Sequence, residues 1–382
     1  MSWEMVKLDD CLEWITYGFT NPMPDADNGP WKVTAKDIID GRINFDSARH
    51  TTQEAYEKDL TDKSRPIKDD LLLTKDGTLG RVALVGEETI CINQSVALLR
   101  LKKDIIAPEY LLYLLQSSEY QGKMLADAGG STIKHIYITK VNQMQIPLPP
   151  PETQRKLVDI LQAYDKILDI NQKQIKLLEE AAQRLYKEWF VDLRFPGYEN
   201  TPITNGIPQG WSKDFVGNVI DKSYRSKQVM TADYLAEGKF PIIDQSRDFI
   251  AGYTDDEETL VSLDKPIIVF GDHTRVLKYI QFPFAKGADG TQLILSDCES
   301  LPQSLLYLSL LNVDLSNYHY ARHFKYLKAE EIIIPNVEIA TKFDFLVTPI
   351  FKKVQILRDQ IINAQQARDR LLPKLMSGEL EV

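Results

Sequence analysis

The sequence predicts an α+β protein with two mixed α/β domains separated by two long antiparallel coiled-coil helices, arranged as a pseudo-twofold internal repeat. The first observation is a heptad pattern in 157–189. Residues suited to the a and d positions of a coiled coil, which form its seam, follow one another at steps that alternate between four and three. The second is that a constant offset of 186 residues maps this series onto another in 343–375. Two matched halves would suit a target that itself has two separated halves.

Each heptad series offers one narrow apolar stripe, which a lone helix cannot bury. We therefore predict that the two helices pair in an intramolecular coiled coil; the alternative is that each packs on its own domain. Asn171 and Arg368 are polar seam residues of the kind that set register. The first series is Leu157, Leu161, Tyr164, Leu168, Asn171, Ile175, Leu178, Ala182, Leu185 and Trp189, and the second is Phe343, Val347, Ile350, Val354, Leu357, Ile361, Ala364, Arg368, Leu371 and Leu375.

The two long helices divide the chain into four predicted segments: a first domain (1–151), a first helix (152–196), a second domain (197–339) and a second helix (340–382). Prolines end the first domain and open the helix, where their fixed φ suits the first turn. The first domain is predicted to contain strands within Asp70–Lys75, Arg81–Val85 and Ser95–Leu101 and a helix at Pro108–Gln116.

The second domain repeats the first in several short runs. Asp69–Asp76 resembles Asp264–Asp272, and Pro108–Tyr113 resembles Pro302–Tyr307. Divergence is greatest around 20–65 and 225–260, so we expect those stretches to carry whatever differs between the two target halves.

The composition limits the function classes. A net charge of −10 counts against strong nucleic-acid binding by this chain alone, since phosphate contacts usually come from a basic surface. Cys11, Cys91 and Cys298 have no zinc spacing and indicate a reducing cytoplasm. No apolar run approaches membrane-spanning length and no signal peptide is recognised, so we expect a cytoplasmic protein without membrane contact.

We find no catalytic constellation and no metal site in the sequence. There is no Gly-rich phosphate loop, and Asn21–Pro24 does not match the methyltransferase motif that it faintly suggests. His319 and His323 stand four apart, but no third ligand is evident and Arg322 and Lys325 would repel a cation. A basic loop that faces DNA is the better interpretation.

Polar groups cluster instead at matching places in the two halves. Basic side chains can anchor phosphates, and amide groups can read base edges in the major groove. An ordinary polar surface is the alternative. The candidate DNA-contacting residues are Lys75, Gly77, Thr78, Arg81, Asn93, Gln94, Thr132, Lys134 and His135 in the first half and Arg225, Lys227, Arg247, His273, Thr274, Arg275, Arg322, His323 and Lys325 in the second.

The runs 185–198, 371–380, 146–154, 73–80 and 130–135 resemble motifs of the specificity subunits of type I restriction-modification systems. The runs 185–198 and 371–380 are similar to the central and distal conserved regions of that family. The runs 146–154, 73–80 and 130–135 are similar to its domain–helix junction and to recurring motifs of its recognition domains.

This resemblance implies a subunit without catalytic activity and without a cofactor of its own. Each domain would recognise one half of a bipartite, asymmetric site on double-stranded DNA. The helices would set the spacer and dock two methyltransferase subunits that use S-adenosylmethionine, and restriction subunits would use ATP and Mg²⁺.

Three alternatives remain from the sequence. A modification-only or phage-defence relative would share the fold and partners but lack the nuclease. A coiled-coil scaffold would bind only proteins, and a single-chain nuclease would cut DNA by itself with a metal.

Overall fold

The computed structural model describes residues 3–126, 128–129, 134–221, 226–262, 264–318 and 322–382. The chain forms two compact units. Unit 1 comprises Met1–Asp169 and Ile362–Val382, and unit 2 comprises Ile170–Ile361. The unit boundaries therefore fall inside both long helices rather than at their ends.

Unit 1 is built around a four-stranded antiparallel sheet. Its strands are β1 (Glu4–Lys7), β2 (Leu12–Tyr17), β3 (Ala26–Val33), β4 (Ile38–Ile39), β5 (Arg42–Ile43), β6 (Arg49–His50), β7 (Leu71–Thr74), β8 (Val82–Leu84), β9 (Ile90–Ile92), β10 (Val96–Leu101) and β11 (Gln145–Leu148). The short helices are α1 (Gln53–Lys58), α2 (Pro108–Gln116), α3 (Ser118–Ala126) and α4 (Ile138–Asn142). The central sheet has the order β2-β10-β7-β8, a second sheet has the order β6-β3-β9, and β1 pairs with β11.

The unbroken apolar run of β7 follows from burial on both faces of the central sheet. Leu71 and Leu73 pack in a core that includes residues of α2, whereas Leu72 points to the other face and packs with residues of β3 and β9. Alternate side chains of a strand point to opposite faces, so a strand covered on both sides needs apolar residues throughout.

Two long helices contribute to both units. Helix α5 (Pro151–Tyr186) has 36 residues and continues as a π-helical turn, Lys187–Val191, while α8 (Val337–Met376) has 40 residues. Helix α8 begins three residues before the predicted start at 340, because the Asn336 side chain accepts a hydrogen bond from the backbone N–H of Ile339 at 2.9 Å. That bond is a helix N-cap.

Unit 2 has the strands β12 (Ile203–Thr204), β13 (Ile207–Pro208), β14 (Ser212–Phe215), β15 (Gln228–Val229), β16 (Phe240–Ile243), β17 (Gly252–Thr254), β18 (Leu260–Val261), β19 (Ile267–Gly271), β20 (Leu277–Ile280), β21 (Phe284–Gly287), β22 (Thr291–Ile294) and β23 (Glu331–Ile334). Its short helices are α6 (Gln303–Leu311) and α7 (His323–Leu327). One sheet has the order β20-β19-β22, a second contains β15-β21-β16-β17, and β14 pairs with β23.

The predicted internal repeat is confirmed at the level of topology. The antiparallel trio β10-β7-β8 of unit 1 corresponds to β22-β19-β20 of unit 2. The parallel pair β3–β9 corresponds to β16–β21, and the antiparallel pair β1–β11 corresponds to β14–β23. Helices α2 and α6 follow the trio at the same place in each unit.

Within each unit, the part of α5 that belongs to it pairs antiparallel with its part of α8. In unit 1, Leu157 and Leu161 share a core with Leu372 and Leu375, which lie near the end of α8. In unit 2, Ile175 packs with Val354 and Leu357, which lie nearer the start of α8. The helices also pack on the sheet layers, because the first core contains residues of β7 and β10. The helices therefore pair with each other and also pack on their domains, so the two alternatives considered from the sequence occur together.

The heptad prediction is confirmed, because every seam residue of both series is buried or half-buried. The polar seam residues have partners within their own units. The Arg368 guanidinium contacts the Asp165 carboxylate at 2.8 Å in unit 1, and the Asn171 amide donates to Gln360 Oε1 at 3.3 Å in unit 2. Polar pairs of this kind disfavour shifted registers, in which they would be left unpaired.

Candidate nucleic-acid interface

In unit 1, three segments far apart in sequence meet where β7 ends. The backbone N–H of Lys75 donates to the Ser95 carbonyl at 2.9 Å, and the Lys75 carbonyl accepts from Ile136 N–H at 2.9 Å. The turn before β10 and the segment before α4 therefore lie on either side of Lys75. The residues at this place form a set that we call the polar edge of unit 1: Lys75, Asp76, Asn93, Gln94, Lys134 and His135.

Asp76 joins two of the predicted basic residues. Its carboxylate pairs with Lys75 Nζ at 2.6 Å and with His135 Nδ1 through the other oxygen. Burial raises the pKa of Asp76, but the hydrogen bonds from His135 and Lys75 outweigh it and hold the pKa below its ordinary value. Asp76 was not among the sequence candidates, although its position between Lys75 and Gly77 is a signal that could have identified it.

The remaining members of this edge differ in exposure. Gln94 and Lys134 are exposed, while Asn93 is half-buried. Asn93 Oδ1 accepts from the Ser95 hydroxyl at 2.6 Å, which orients the Asn93 amide. The Lys75 ammonium lies 5.3 Å from the centre of the Tyr17 ring. Donors and acceptors thus occur side by side on one edge, as base recognition requires.

The β7–β8 turn carries the other candidates of this half. Gly77 and Thr78 are exposed, and Gly77 has a φ of +77° with open space around it. Arg81 is exposed too, but its Nη1 donates to the Ile38 carbonyl at 3.1 Å and so holds the β4–β5 hairpin. Thr132 lies outside the described residues.

In unit 2, the corresponding turn between β19 and β20 presents His273 and Thr274 as exposed residues. Arg275 has a left-handed φ of +61°, and its Nη2 donates to the Tyr318 carbonyl at 2.6 Å. Its guanidinium is therefore engaged with the protein main chain. Arg322 and Lys325, at the start of α7, are exposed.

The prediction for His323 is wrong. The residue is 4% exposed, and its Nδ1 and Nε2 lie 2.8 Å and 3.0 Å from the carbonyl oxygens of Asp272 and Tyr318. Both polar atoms of the ring are thus turned into the protein. His323 secures the start of α7 against the end of β19, while its neighbour Arg322 remains on the surface.

The other candidates of this half lie in the divergent stretch. Lys227 is exposed and forms ion pairs with Glu258 at 2.9 Å and Asp256 at 3.0 Å, and hydrogen bonds to these two carboxylates raise its pKa. Arg247 is exposed on the loop that follows β16. Arg225 and His319 lie outside the described residues.

Two general features accompany these edges. Among the described residues, no group of three or more histidine, cysteine, aspartate or glutamate side chains is placed to hold a metal ion. Within the same residues, no helix is long and apolar enough to cross a membrane.

Comparison with known proteins gives a consistent result. Residues 2–180 match the family model described as Type I restriction modification DNA specificity domain. The chain is 28% identical over 381 residues to the Type I restriction enzyme MjaIX specificity subunit of Methanocaldococcus jannaschii, covering 92% of this chain and 87% of that protein. It is 25% identical over 413 residues to the putative type I restriction enzyme MjaX specificity subunit of the same organism, covering 100% and 94%.

A solved structure shares the fold. The S subunit of a type I restriction-modification system from M. genitalium superimposes with a TM-score of 0.60 and 16% identity, covering 98% of this chain and 96% of that chain. The shared fold is a repeated α+β scaffold in which each unit presents a polar edge. The chain is similar over nearly its whole length to specificity subunits of type I restriction-modification systems, and its first half matches the DNA specificity domain described for them.

Proposed function

We propose that each unit recognises one half of a bipartite, asymmetric DNA site, and that the long helices set the spacer and dock two methyltransferase subunits. The observation that carries this proposal is one scaffold used twice, with side chains at the same edge that differ in burial and in hydrogen-bond partners. Asp76 and Asp272 follow the ends of the corresponding strands β7 and β19. Asp76 is half-buried and holds the His135 side chain, whereas Asp272 is 4% exposed and accepts from Phe324 N–H at 2.7 Å.

The two edges therefore offer different chemistry to DNA. The polar edge of unit 1 combines an exposed amide, Gln94, with the basic residues Lys134 and His135. The corresponding edge of unit 2 offers His273 and Thr274 on the turn and Arg322 and Lys325 beside it. Amides and basic groups in different arrangements favour different base pairs, so the two half-sites should differ in sequence.

Methyltransferase docking is supported by large apolar side chains that the helix pair leaves in solvent. Phe345 is 78% exposed, Leu177 is 64% exposed and Ile170 is 54% exposed, all on the helical part of unit 2. Ile170 and Leu177 lie on α5 and Phe345 lies on α8, and large apolar side chains left in solvent are typical of protein interaction surfaces. The partners would supply S-adenosylmethionine chemistry, and restriction subunits would supply ATP- and Mg²⁺-dependent cleavage.

The acidic total supports a shared binding surface. A net charge of −10 opposes the approach of a phosphate backbone, so basic residues of the methyltransferases would complete the positive surface around the duplex. This chain alone should consequently retain DNA weakly.

The test is selection from a library of duplexes with randomised sequence, using this chain co-expressed with the methyltransferase of the same genetic locus. We expect two conserved blocks at one fixed spacing. Absence of any enriched sequence, with the complex intact, would leave a purely structural scaffold as the function. Cleavage by this chain alone would indicate a nuclease.

Docking is tested separately with Phe345→Ser in the co-expressed complex. We expect loss of co-purifying methyltransferase with an unchanged circular dichroism spectrum, because the side chain makes little contact inside this chain. Lys342→Ser, at an exposed position one turn earlier in α8, is the control. Equal retention of the methyltransferase by both variants would place the docking surface elsewhere.

A further inference from the structure

Gln245, which no sequence pattern singled out, connects three loops of unit 2. It lies in the loop after β16, within the divergent stretch 225–260. Its backbone carbonyl accepts from the Thr274 hydroxyl at 2.6 Å, and its side-chain Oε1 accepts from His273 N–H at 3.0 Å. Its Nε2 donates to the Asp289 carbonyl at 2.8 Å. One residue thus ties its own loop to the β19–β20 turn and to the β21–β22 turn.

The packing around Gln245 leaves no room for a side chain on two neighbouring glycines. A Cβ on Gly290 would lie 2.8 Å from Gln245 Oε1 and 2.8 Å from the His273 ring. A Cβ on Gly271 would lie 2.1 Å from Thr274 Oγ1 and 2.9 Å from the Gln245 Cβ. Real Cβ atoms do not approach other atoms this closely, so the three loops are packed directly against each other through Gln245.

The Gln245 loop is itself held from the protein interior. Lys278 is 4% exposed, and its ammonium donates to the Asp244 carbonyl at 2.9 Å and to the Asp248 carbonyl. The ends of the loop are therefore fixed by Lys278, independently of the Gln245 side chain. Exposed Arg247 lies between those two anchor points.

We propose that Gln245 is a positioning residue for DNA recognition by unit 2, which sets the place of the His273–Thr274 turn relative to the Asp289 turn without contacting a base itself. This inference rests on the proposed function. Base discrimination needs donors and acceptors held to within about 0.5 Å. Without the Gln245 side chain, His273 N–H and the Asp289 carbonyl lose their partners and the two turns can move apart. Arg247 should keep its place, because Lys278 still holds the loop.

The experiment uses the complex with methyltransferase and the duplex selected by the unmodified protein. Binding to that duplex and to single-base variants in each half-site is measured by fluorescence anisotropy. Discrimination is the ratio of the dissociation constants for the single-base variant and the selected duplex. For Gln245→Ala we expect this ratio to fall by about tenfold at the half-site of unit 2, because two hydrogen bonds are lost. At the other half-site the ratio should stay unchanged. The exposed Gln209→Ala in the same unit is the matched control and should change neither.

A double-mutant cycle separates positioning from direct reading. If Gln245 acts through the turn, adding Gln245→Ala to His273→Ala and Thr274→Ala should change discrimination by less than about twofold. A full additional loss in that background would make Gln245 a direct reader and overturn the inference. Gln245→Glu keeps the acceptor for His273 N–H but loses the donor to Asp289, so it should give a partial loss confined to the same half-site.

The remaining outcomes also decide the matter. Equal loss at both half-sites in Gln245→Ala and Gln245→Glu would mean that Gln245 supports only the fold. Unchanged discrimination would mean that the turns keep their positions without the Gln245 side chain. Either result would overturn the inference. If Gln245→Ala fails to fold, the half-site pattern of Gln245→Glu decides. Failure of the unmodified complex to select any bipartite sequence would instead refute the proposed function.

Discussion

The buried Lys278 makes the stability of unit 2 depend on pH in a direction that can be derived from the structure. Burial lowers the pKa of Lys278 from 10.5 to about 8, with Asp244 and Asp248 opposing the shift through their charges. Only 4% of the residue is exposed, so the cost of burying its charge is little relieved by solvent. The perturbation is Lys278→Met, which keeps much of the volume and removes the charge.

The sign follows from proton binding in the two states. Between about pH 8 and the ordinary lysine pKa of 10.5, the unfolded chain binds the proton while the folded chain has released it. The free energy of unfolding contributed by Lys278 therefore rises with pH across this window. With a pKa near 8, the rise between about pH 7 and pH 10 is roughly 2 to 3 kcal/mol.

The assay is urea unfolding of the full chain and of Lys278→Met at about pH 7 and about pH 10, followed by circular dichroism. Buried tyrosines such as Tyr279, whose pKa is raised by desolvation, and Cys91, whose pKa is raised to about 12, lower stability at high pH in both proteins. Their contribution cancels in the difference. The free energy of unfolding of the unmodified chain minus that of the variant should increase by roughly 2 to 3 kcal/mol between these two pH values. A flat difference across this range would refute the reasoning.

Three further predictions concern the helices and the polar edge of unit 1. Leu357→Ala, at a position that is 1% exposed in the seam of unit 2, should lower the free energy of unfolding by about 3 kcal/mol, as urea unfolding would measure; a loss below about 1 kcal/mol would mean that the seam closes around the deletion. Replacing Lys134 and His135 by alanine should weaken recognition of one half-site only, whereas equal loss at both half-sites in the anisotropy assay would indicate general misfolding. Seven residues inserted in 157–189, with a matching seven in 343–375, should lengthen the selected spacer and leave both half-site sequences unchanged, since a heptad preserves the seam; altered half-sites at the old spacing would contradict this role of the helices.

Sequence periodicity predicted the two long helices and their repeat, because the direction of side chains along a helix follows from local sequence spacing. Helix α2 has the predicted bounds, Pro108–Gln116, and strands β7, β8 and β10 lie within the predicted runs. The heptad steps identified positions that are all buried or half-buried, but buried residues such as Val158, Phe351 and Leu372 lie outside the two series. A constant offset of 186 residues related the two heptad series, whereas the two domains were related by short runs of similar sequence.

The unit boundaries and the details of the polar edges were decided by tertiary structure. The long helices divide between the units because each part packs on a different core. His323 is polar and stands among basic residues, yet it is buried, with its ring nitrogens within hydrogen-bonding distance of backbone carbonyls 51 and 5 residues away.

Asp76 pairs with His135 across 59 residues, and Gln245 bonds to Asp289 across 44. Neither partner can be inferred from its own neighbourhood, because side-chain pairing depends on which loops the sheets bring together. Local sequence sets the period and direction of side chains along an element, whereas contacts between distant elements form only with the complete tertiary fold.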